Sequence, residues 1–194
     1  MEGACVTDLN TLQLTATTAL GGTLPQEARH GALRMAENSG LALASLTLRR
    51  GTTQPAPFGL ALPGPGAWGQ AGRHAALWMG PEQWLIEGEG LAETDFATAL
   101  QGQCPGCSVT EQTDGFVAFE ITSEAGEAPI LALLARLVNI APDRLRPGMG
   151  TRTGLEHMSV LVIRRAPDRL ALLGLRSAAA TLWHALTTAA ARLG

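Results

Sequence analysis

The sequence contains no lysine and no tyrosine, and all 14 of its basic residues are arginines. The absence of lysine excludes a Schiff-base nucleophile and the phosphate-binding loop that depends on a lysine. Arginine could serve anion or interface contacts, because a guanidinium forms two parallel hydrogen bonds to a carboxylate or phosphate. Alanine, glycine and proline are abundant as well, so the composition favours a genome rich in G and C as the explanation.

Charge is also scarce, since charged residues make up 16% of the chain and apolar residues 46%. The formal net charge is −3 and the arginines are scattered, so the sequence lacks the basic patch of a nucleic-acid-binding protein. A surface this poor in charge is typical of a very compact protein or of one partly covered by another chain. The composition favours the second interpretation, a subunit.

Long apolar runs and a secretory leader are missing from the sequence too. Met1–Asn10 has no basic start followed by an apolar segment, and no run approaches the roughly 20 residues that span a bilayer. Three cysteines in 194 residues suit a reducing compartment. We therefore expect a soluble, cytoplasmic protein that forms one large domain or two small subdomains.

Hydrophobic periodicity predicts short strands and four helices. A hairpin is predicted around Gly80-Pro81 and another around Ala166-Pro167-Asp168, where the strands are Glu156–Arg165 and Arg169–Gly174. Further strands are predicted at Leu41–Leu48, Ser108–Glu111 and Phe116–Ile121, with a short one at Phe58–Leu62 in a loop rich in proline and glycine. The predicted helices are Gln26–Asn38, Ala92–Leu100, Ala128–Val138 and a closing helix with Ser177 as its N-cap. This pattern predicts an α+β protein of two small subdomains with antiparallel sheets, about 1–110 and about 111–194, whose strands could interleave.

Five motifs in order carry a resemblance to a known family. They are Trp78-Met79-Gly80-Pro81-Glu82-Gln83-Trp84-Leu85-Ile86, Thr113-Asp114-Gly115 with the strand after it, Leu137-Val138-Asn139-Ile140, Arg146-Pro147-Gly148 with Thr151-Arg152-Thr153, and Arg176-Ser177-Ala178 with Leu182-Trp183. Together they resemble the gamma subunit of heterotetrameric sarcosine oxidase over about residues 74–192. Asn139-Ile140 departs from the family's Asp-Leu, and Asp114 follows Thr where the family has Ser.

The resemblance implies the folate-binding-domain fold that glycine cleavage aminomethyltransferases share. It also implies alpha, beta and delta subunits as partners, in a complex that demethylates sarcosine oxidatively and passes the one-carbon unit to tetrahydrofolate. FAD, FMN, NAD and tetrahydrofolate are expected in the alpha and beta subunits, and zinc in delta. No cofactor, metal or catalytic residue is expected in this chain, which would be a non-catalytic structural subunit.

Three residues are candidates for the subunit interface. Arg152, between two threonines, is suited to an ion pair with another chain or to a surface strand. Arg176 lies where the closing helix begins, and a helix N-terminus beside an arginine can bind an anion, although pairing with a neighbouring carboxylate is favoured. Trp84 becomes the first candidate for an interface anchor if it is exposed in the isolated chain. Trp78 and Trp84 flank one turn, which predicts packing across the hairpin.

Two alternative functions remain open. Cys104-Pro105-Gly106-Cys107 has the spacing of a dithiol redox pair or half of a zinc site, but it follows a predicted helix and has no second Cys/His pair, so a turn with incidental cysteines is favoured. None of His30, His74 and His184 has a carboxylate beside it in sequence, and Glu156-His157 would diverge on a strand. The other alternative is a stand-alone folate-binding protein or folate-dependent aminomethyltransferase.

Overall fold

The computed structural model describes residues 15–193, which form eleven strands and three helices. The strands are β1 (Glu27–His30), β2 (Leu33–Glu37), β3 (Ala42–Leu48), β4 (Trp68–Ala71), β5 (His74–Gly80), β6 (Gln83–Gly88), β7 (Cys107–Glu111), β8 (Phe116–Ser123), β9 (Met149–Leu155), β10 (Met158–Ala166) and β11 (Arg169–Leu175). The helices are α1 (Phe96–Gln103), α2 (Glu127–Leu137) and α3 (Ala179–Ala191). Within residues 15–193, none of the helices has the length and apolar character that crossing a membrane requires.

The larger sheet has six strands in the order β1-β2-β8-β11-β10-β9, and every neighbouring pair is antiparallel. Helices α2 and α3 cover one face of it, because each has apolar side chains at helical spacing. In α2 the buried residues are Ile130, Leu133 and Leu134. They pack with Val117, Phe119 and other strand residues in the main apolar core.

The smaller sheet has five strands in the order β4-β5-β6-β3-β7, also antiparallel throughout. Its outer face is covered by α1, which contributes Phe96 and Leu100 to a second apolar cluster. The Asp95 side chain accepts a hydrogen bond from the Thr98 amide at 3.0 Å, so Asp95 is the N-cap of α1.

The inner faces of the two sheets meet in a third apolar cluster, to which Leu43, Leu77 and Leu85 belong from one sheet and Ala118, Leu161 and Leu173 from the other. Strand β8 alternates as the sequence predicts, with Ala118 towards this cluster and Val117 and Phe119 towards the helices. The contact is close at Gly150 of β9, where an added Cβ atom would lie 2.5 Å from a Leu77 methyl carbon. Glycine is therefore required there by space.

The predicted helix over Gln26–Asn38 is wrong. The segment forms the hairpin β1–β2, in which Gly31 turns with a φ of 55°. In β2 the exposed Arg34 lies between Leu33 and Met35, both fully buried against the main core. This alternation has a period of two, and a helix would have placed those neighbours on different faces.

Several local predictions are also corrected. Phe58–Leu62 is not a strand, since Pro57–Gly59 is a 3₁₀ turn in which Phe58 has a positive φ. Glu156 and His157 form the turn between β9 and β10, with φ values of 44° and 68°, so they are not neighbours on a strand. A 3₁₀ turn at Arg176–Ala178 precedes α3, whose N-cap position is Ala178, and Ser177 makes no capping hydrogen bond.

The α+β class with antiparallel sheets is confirmed. The predicted hairpins around residues 80–81 and 166–168 are observed, and so are strands at the other three predicted positions. The hairpin β1–β2 joins β8, so residues 27–37 belong to the sheet that otherwise consists of residues 116–175. From residue 27 onward the chain thus passes through the larger sheet, builds the smaller one, and returns.

Candidate functional site

A cleft opens where the inner faces of the two sheets separate, and we call it the inter-sheet cleft. Its volume is about 570 Å³. Apolar side chains from both sheets line it, among them Leu77, Leu85, Phe116 and Leu161. Gln83 and Gln112 add amide groups at the rim. The cleft is thus an apolar depression with a few polar groups, the usual character of a binding surface.

Arg152 is the single charged residue that lines the inter-sheet cleft. It lies in β9 opposite Leu161, shares the inner face with Gly150, and is exposed. Among residues 15–193 its guanidinium has no carboxylate within salt-bridge distance, because the six ion pairs in that part of the chain involve other residues. The arginine predicted as an interface residue therefore presents an unneutralised positive charge beside an apolar depression.

Deeper between the sheets lies an ion cluster that the sequence analysis missed. Arg165 of β10 contacts Glu87 of β6 and Glu120 of β8, each with an N–O distance of 2.8 Å. The Trp68 indole donates to Glu87 at 3.0 Å, and the Arg165 guanidinium carbon lies 5.0 Å from the Trp68 ring centre. The cluster joins one sheet to the other, and its partners are all internal, so it is a structural link.

The ionisation of this cluster follows from its burial and its charges. Burial raises the pKa of Glu120, and the Arg165 guanidinium opposes that effect only in part, so the net direction is upward. Burial by itself would lower the pKa of Arg165, but the carboxylates of Glu87 and Glu120 outweigh it and raise that pKa. The sequence carries a signal for this cluster, since alternation along the predicted strand Phe116–Ile121 puts Glu120 on the same face as Phe116 and Ala118.

Arg176 lies beside a smaller cleft of about 340 Å³, which shares Phe116 with the inter-sheet cleft. It donates a hydrogen bond to the carbonyl oxygen of Thr17 at 2.7 Å, and its Nη1 lies 3.9 Å from the Asp114 carboxylate. Both contacts are internal, which agrees with the favoured interpretation of Arg176 as a residue that pairs with a neighbouring carboxylate.

Trp84 is only 5% exposed, so the condition for its role as an interface anchor is not met. Its indole donates a hydrogen bond to the carbonyl oxygen of Pro63 at 2.8 Å, and it belongs to the cluster under α1. Trp78 lies directly opposite it across the β5–β6 hairpin, as predicted from their spacing around the turn. The two residues hold the loop of residues 51–67 against the smaller sheet, since the Trp78 amide donates a hydrogen bond to the carbonyl oxygen of Ala67 as well.

Cys104 and Cys107 flank the turn between α1 and β7, and both are buried free thiols. The Cys107 amide donates to the Cys104 carbonyl oxygen at 3.0 Å, which closes the turn. Burial, with the adjacent Cys107, raises the pKa of the Cys104 thiol to about 11, and burial also raises the pKa of Cys107. Thiols of this kind are largely protonated at neutral pH and react slowly.

Over residues 15–193 there is no cluster of three or more His, Cys, Asp or Glu side chains that could hold a metal ion. His74 stacks on Phe58, with ring centres 4.1 Å apart, and burial followed by the Arg73 charge lowers its pKa. The inter-sheet cleft is the candidate site because it combines apolar side chains with the charge of Arg152, which has no carboxylate partner among residues 15–193.

The fold is that of a chain in a solved amine-oxidising enzyme. The structure superposes on a chain of heterotetrameric sarcosine oxidase from Corynebacterium sp. U-96, solved in complex with pyrrole 2-carboxylate, with a TM-score of 0.68 and 21% identity. The match covers 85% of this chain and 87% of that one. The fold that the five sequence motifs imply is thereby confirmed.

A second similar structure is the glycine cleavage system aminomethyltransferase T from Bartonella henselae, with a TM-score of 0.53 and 15% identity. That match covers 77% of this chain but only 44% of the aminomethyltransferase, so the chain spans less than half of that enzyme's length. No protein-family model matches the sequence. No curated protein matches it in sequence either.

Proposed function

We propose that this chain is a non-catalytic structural subunit of a sarcosine-oxidase-like complex, in which it corresponds to the gamma subunit. The observation that carries the proposal is the near-complete mutual coverage with one chain of heterotetrameric sarcosine oxidase, 85% against 87%. A chain that matches most of one subunit is suited to the same kind of assembly. The five motifs in register over residues 74–192 support the same assignment.

The chemistry of the buried ionisable groups favours a structural role for the chain. The buried charged groups between the sheets, Arg165, Glu87 and Glu120, are paired with one another and make no group available for proton transfer to a substrate. The thiols of Cys104 and Cys107 are buried and have raised pKa values. In the proposed complex, alpha, beta and delta subunits would hold FAD, FMN, NAD, tetrahydrofolate and zinc, and would oxidise a methylated amine.

Purification of a tagged copy from its native cell tests this function. We expect it to bring down at least one larger chain with bound flavin, and the eluted complex to oxidise sarcosine or another N-methylated amine. The chain purified alone from a foreign host is the control and should have neither flavin absorbance nor amine turnover. Turnover by the single chain, or the absence of any flavin-bearing chain from the native eluate, would contradict the proposal.

The second candidate is a stand-alone folate-binding or aminomethyltransferase-like protein. The inter-sheet cleft favours it, because Phe116 offers an aromatic face and Arg152 a guanidinium that could meet a folate carboxylate. Titration calorimetry of the isolated chain with tetrahydrofolate separates the two candidates. Micromolar binding that Arg152→Ala abolishes would favour the folate-binding protein, whereas no heat of binding favours the structural subunit.

A further inference from the structure

Strand β9 lies at one edge of the larger sheet, and only half of its outer side pairs with another segment of residues 15–193. Near its start, the segment 66–68 pairs with it, since the Gly150 amide donates to the Gly66 carbonyl oxygen at 3.0 Å and the Trp68 amide to the Gly148 carbonyl oxygen at 2.8 Å. Beyond Gly150, no strand of residues 15–193 lies on the outer side of β9. The open part runs from Thr151 to Leu155.

The direction of the backbone groups along this edge follows from the Gly150 hydrogen bond. In an antiparallel edge strand, the N–H and C=O of alternate residues point away from the sheet. Because Gly150 points its N–H outwards, Arg152 and Gly154 do so as well, while Thr151 and Thr153 bond to β10. Two outward N–H groups and two outward carbonyl groups are therefore open to a further strand, apart from a 3.4 Å contact between the Thr151 hydroxyl and the Arg152 carbonyl oxygen.

Depressions flank the open edge on both faces of the sheet. The inter-sheet cleft lies on the side to which Arg152 points. On the helix side there is a second cleft of about 710 Å³, lined by Thr151 and Thr153 and by the loop after α2, including Ile140. A strand added to this edge would direct successive side chains alternately into the two clefts. Such an edge resembles a peptide-binding sheet edge more than a solvated one.

Arg152 specifies the chemistry of the segment that would bind there. It is exposed, carries the single charge of the inter-sheet cleft, and has no carboxylate partner among residues 15–193. On an antiparallel neighbour, the residue directly opposite Arg152 would have its side chain on the same face, where an opposite charge is stabilising. An acidic residue is therefore the complement at that position.

We infer that the edge of β9 at residues 151–155 is a docking site for an extended segment of a partner subunit, which adds a strand to the larger sheet and sets a carboxylate opposite Arg152. This inference rests on the proposed function and names the surface that the assembly would use. A strand addition supplies affinity through backbone hydrogen bonds, and the Arg152 pair would fix the register.

Amide hydrogen exchange with residue resolution tests the docking directly. It would be measured for the chain alone and within the complex purified from its native cell. The Arg152 and Gly154 amides should exchange quickly in the free chain and at least about tenfold more slowly in the complex. The amides of Thr151 and Thr153, which bond to β10 in both states, are the internal reference and should change less.

Reversal of the charge at Arg152 is the second test of the docking site. Tagged Arg152→Glu, made in a native cell without the untagged copy, should recover its partner chains with at least about tenfold weaker affinity than the wild type. Arg50→Glu is the matched control, since Arg50 is also exposed and lies in a loop that is remote in sequence from Arg152. Arg50→Glu should bind as the wild type does, and both variants should keep the wild-type melting temperature.

The outcomes separate this inference from the function on which it rests. If flavin-bearing partners co-purify but the Arg152 and Gly154 amides stay unprotected and Arg152→Glu binds normally, the docking site is wrong and the subunit role stands. If no such partner co-purifies, both are overturned. If the same amides become protected in the isolated chain as it dimerises, the occupant is a second copy, and the inference of a partner subunit is overturned.

Discussion

Arg165 illustrates how much depends on one guanidinium in a chain with so few charges. Its side chain is 12% exposed and meets Glu87, which is 2% exposed, from the opposite sheet. Its neighbour Arg164 points to the helix side of the same strand, where it is fully buried and pairs with Glu127 at 3.0 Å. The adjacent arginines thus lie on opposite faces of β10, with Arg165 between the sheets and Arg164 beneath α2.

Replacing Arg165 with methionine should destabilise the protein by about 3–5 kcal/mol, because Glu87 and Glu120 would remain buried without a counter-charge. Urea unfolding at pH 7 measures the loss. The control is Arg29→Met, which breaks an ion pair whose side chains are 64% and 57% exposed and should cost below about 1 kcal/mol. Equal losses in the two variants would show that the cluster does not stabilise the contact between the sheets.

The raised pKa of Glu120 predicts a pH dependence of definite sign. A carboxyl group whose pKa is higher in the folded state binds protons more readily there than in the unfolded chain, so its contribution to stability is largest at low pH. It is lost as the pH rises from the ordinary glutamate value of 4.5 through the raised value. The stability of the wild type relative to Glu120→Gln should therefore fall as the pH rises above 4.5, as urea midpoints would show.

Glu111 provides a comparison of opposite sign. Burial would raise its pKa, but hydrogen bonds from Thr113, Ala97 and Gln112 together outweigh that effect and lower it. Its stabilising contribution is present above pH 4.5 and is lost as the pH falls through the lowered value. The wild type should thus lose stability relative to Glu111→Gln on acidification. The same sign for both variants would contradict these assignments.

At the scale of elements, the close approach at Gly150 makes β9 sensitive to a single methyl group. Gly150→Ala should destabilise the protein by about 1–3 kcal/mol, because the new Cβ would lie 2.5 Å from Leu77 and within 3.3 Å of the Val162 carbonyl oxygen. Gly154→Ala, in the same strand, is the control, since an added Cβ there has no atom within 4 Å. Thermal unfolding would measure both, and comparable midpoints would argue against tight packing at Gly150.

The hairpins could be predicted from sequence because their strands alternate and their turns contain glycine or proline. The segment 26–38 could not, because its charged and small residues suit a helix as well as a strand, and only pairing with β8 decides between them. Strand β9 was predicted only as one of two settings for Arg152, for a similar reason. Gly150 and Gly154 interrupt its pattern, and their role in close packing depends on the opposite sheet.

The candidate site was accessible from the sequence only in part. Arg152 was found as a lone arginine between threonines, but the residues that line the cleft beside it lie between Ser45 and Leu161 along the chain, on several strands of both sheets. The Arg165 cluster likewise joins Glu87, Glu120 and Trp68 from three different strands. Spacing along the chain carries no signal for such groups, which the topology alone brings together.

On the scale of the whole molecule, the two sheets should unfold together. They share the apolar cluster around Leu77 and Leu161 and the Arg165 ion pairs, and the chain passes from one sheet to the other and back. Separating them would expose the apolar inner faces of both sheets to water. The free energy of that exposure would exceed the folding free energy that either sheet could have alone.

A single substitution makes this testable. In Trp183→Phe, the remaining tryptophans Trp68, Trp78 and Trp84 report on the smaller sheet. Far-ultraviolet circular dichroism reports mainly on α2 and α3, which have 11 and 13 residues against 8 in α1. We expect the urea transitions of the two signals to coincide. Midpoints that differ would mean that the sheets are independent units.

The uncovered half of β9 also bears on how the protein is produced. A molecule that leaves backbone donors and acceptors free along a strand offers them to any other copy that meets it. Surplus chains would then tend to associate with one another, and the fraction of chain lost to this association would grow with the concentration of free chain. Synthesis in step with whatever covers that edge would keep the chain from such self-association.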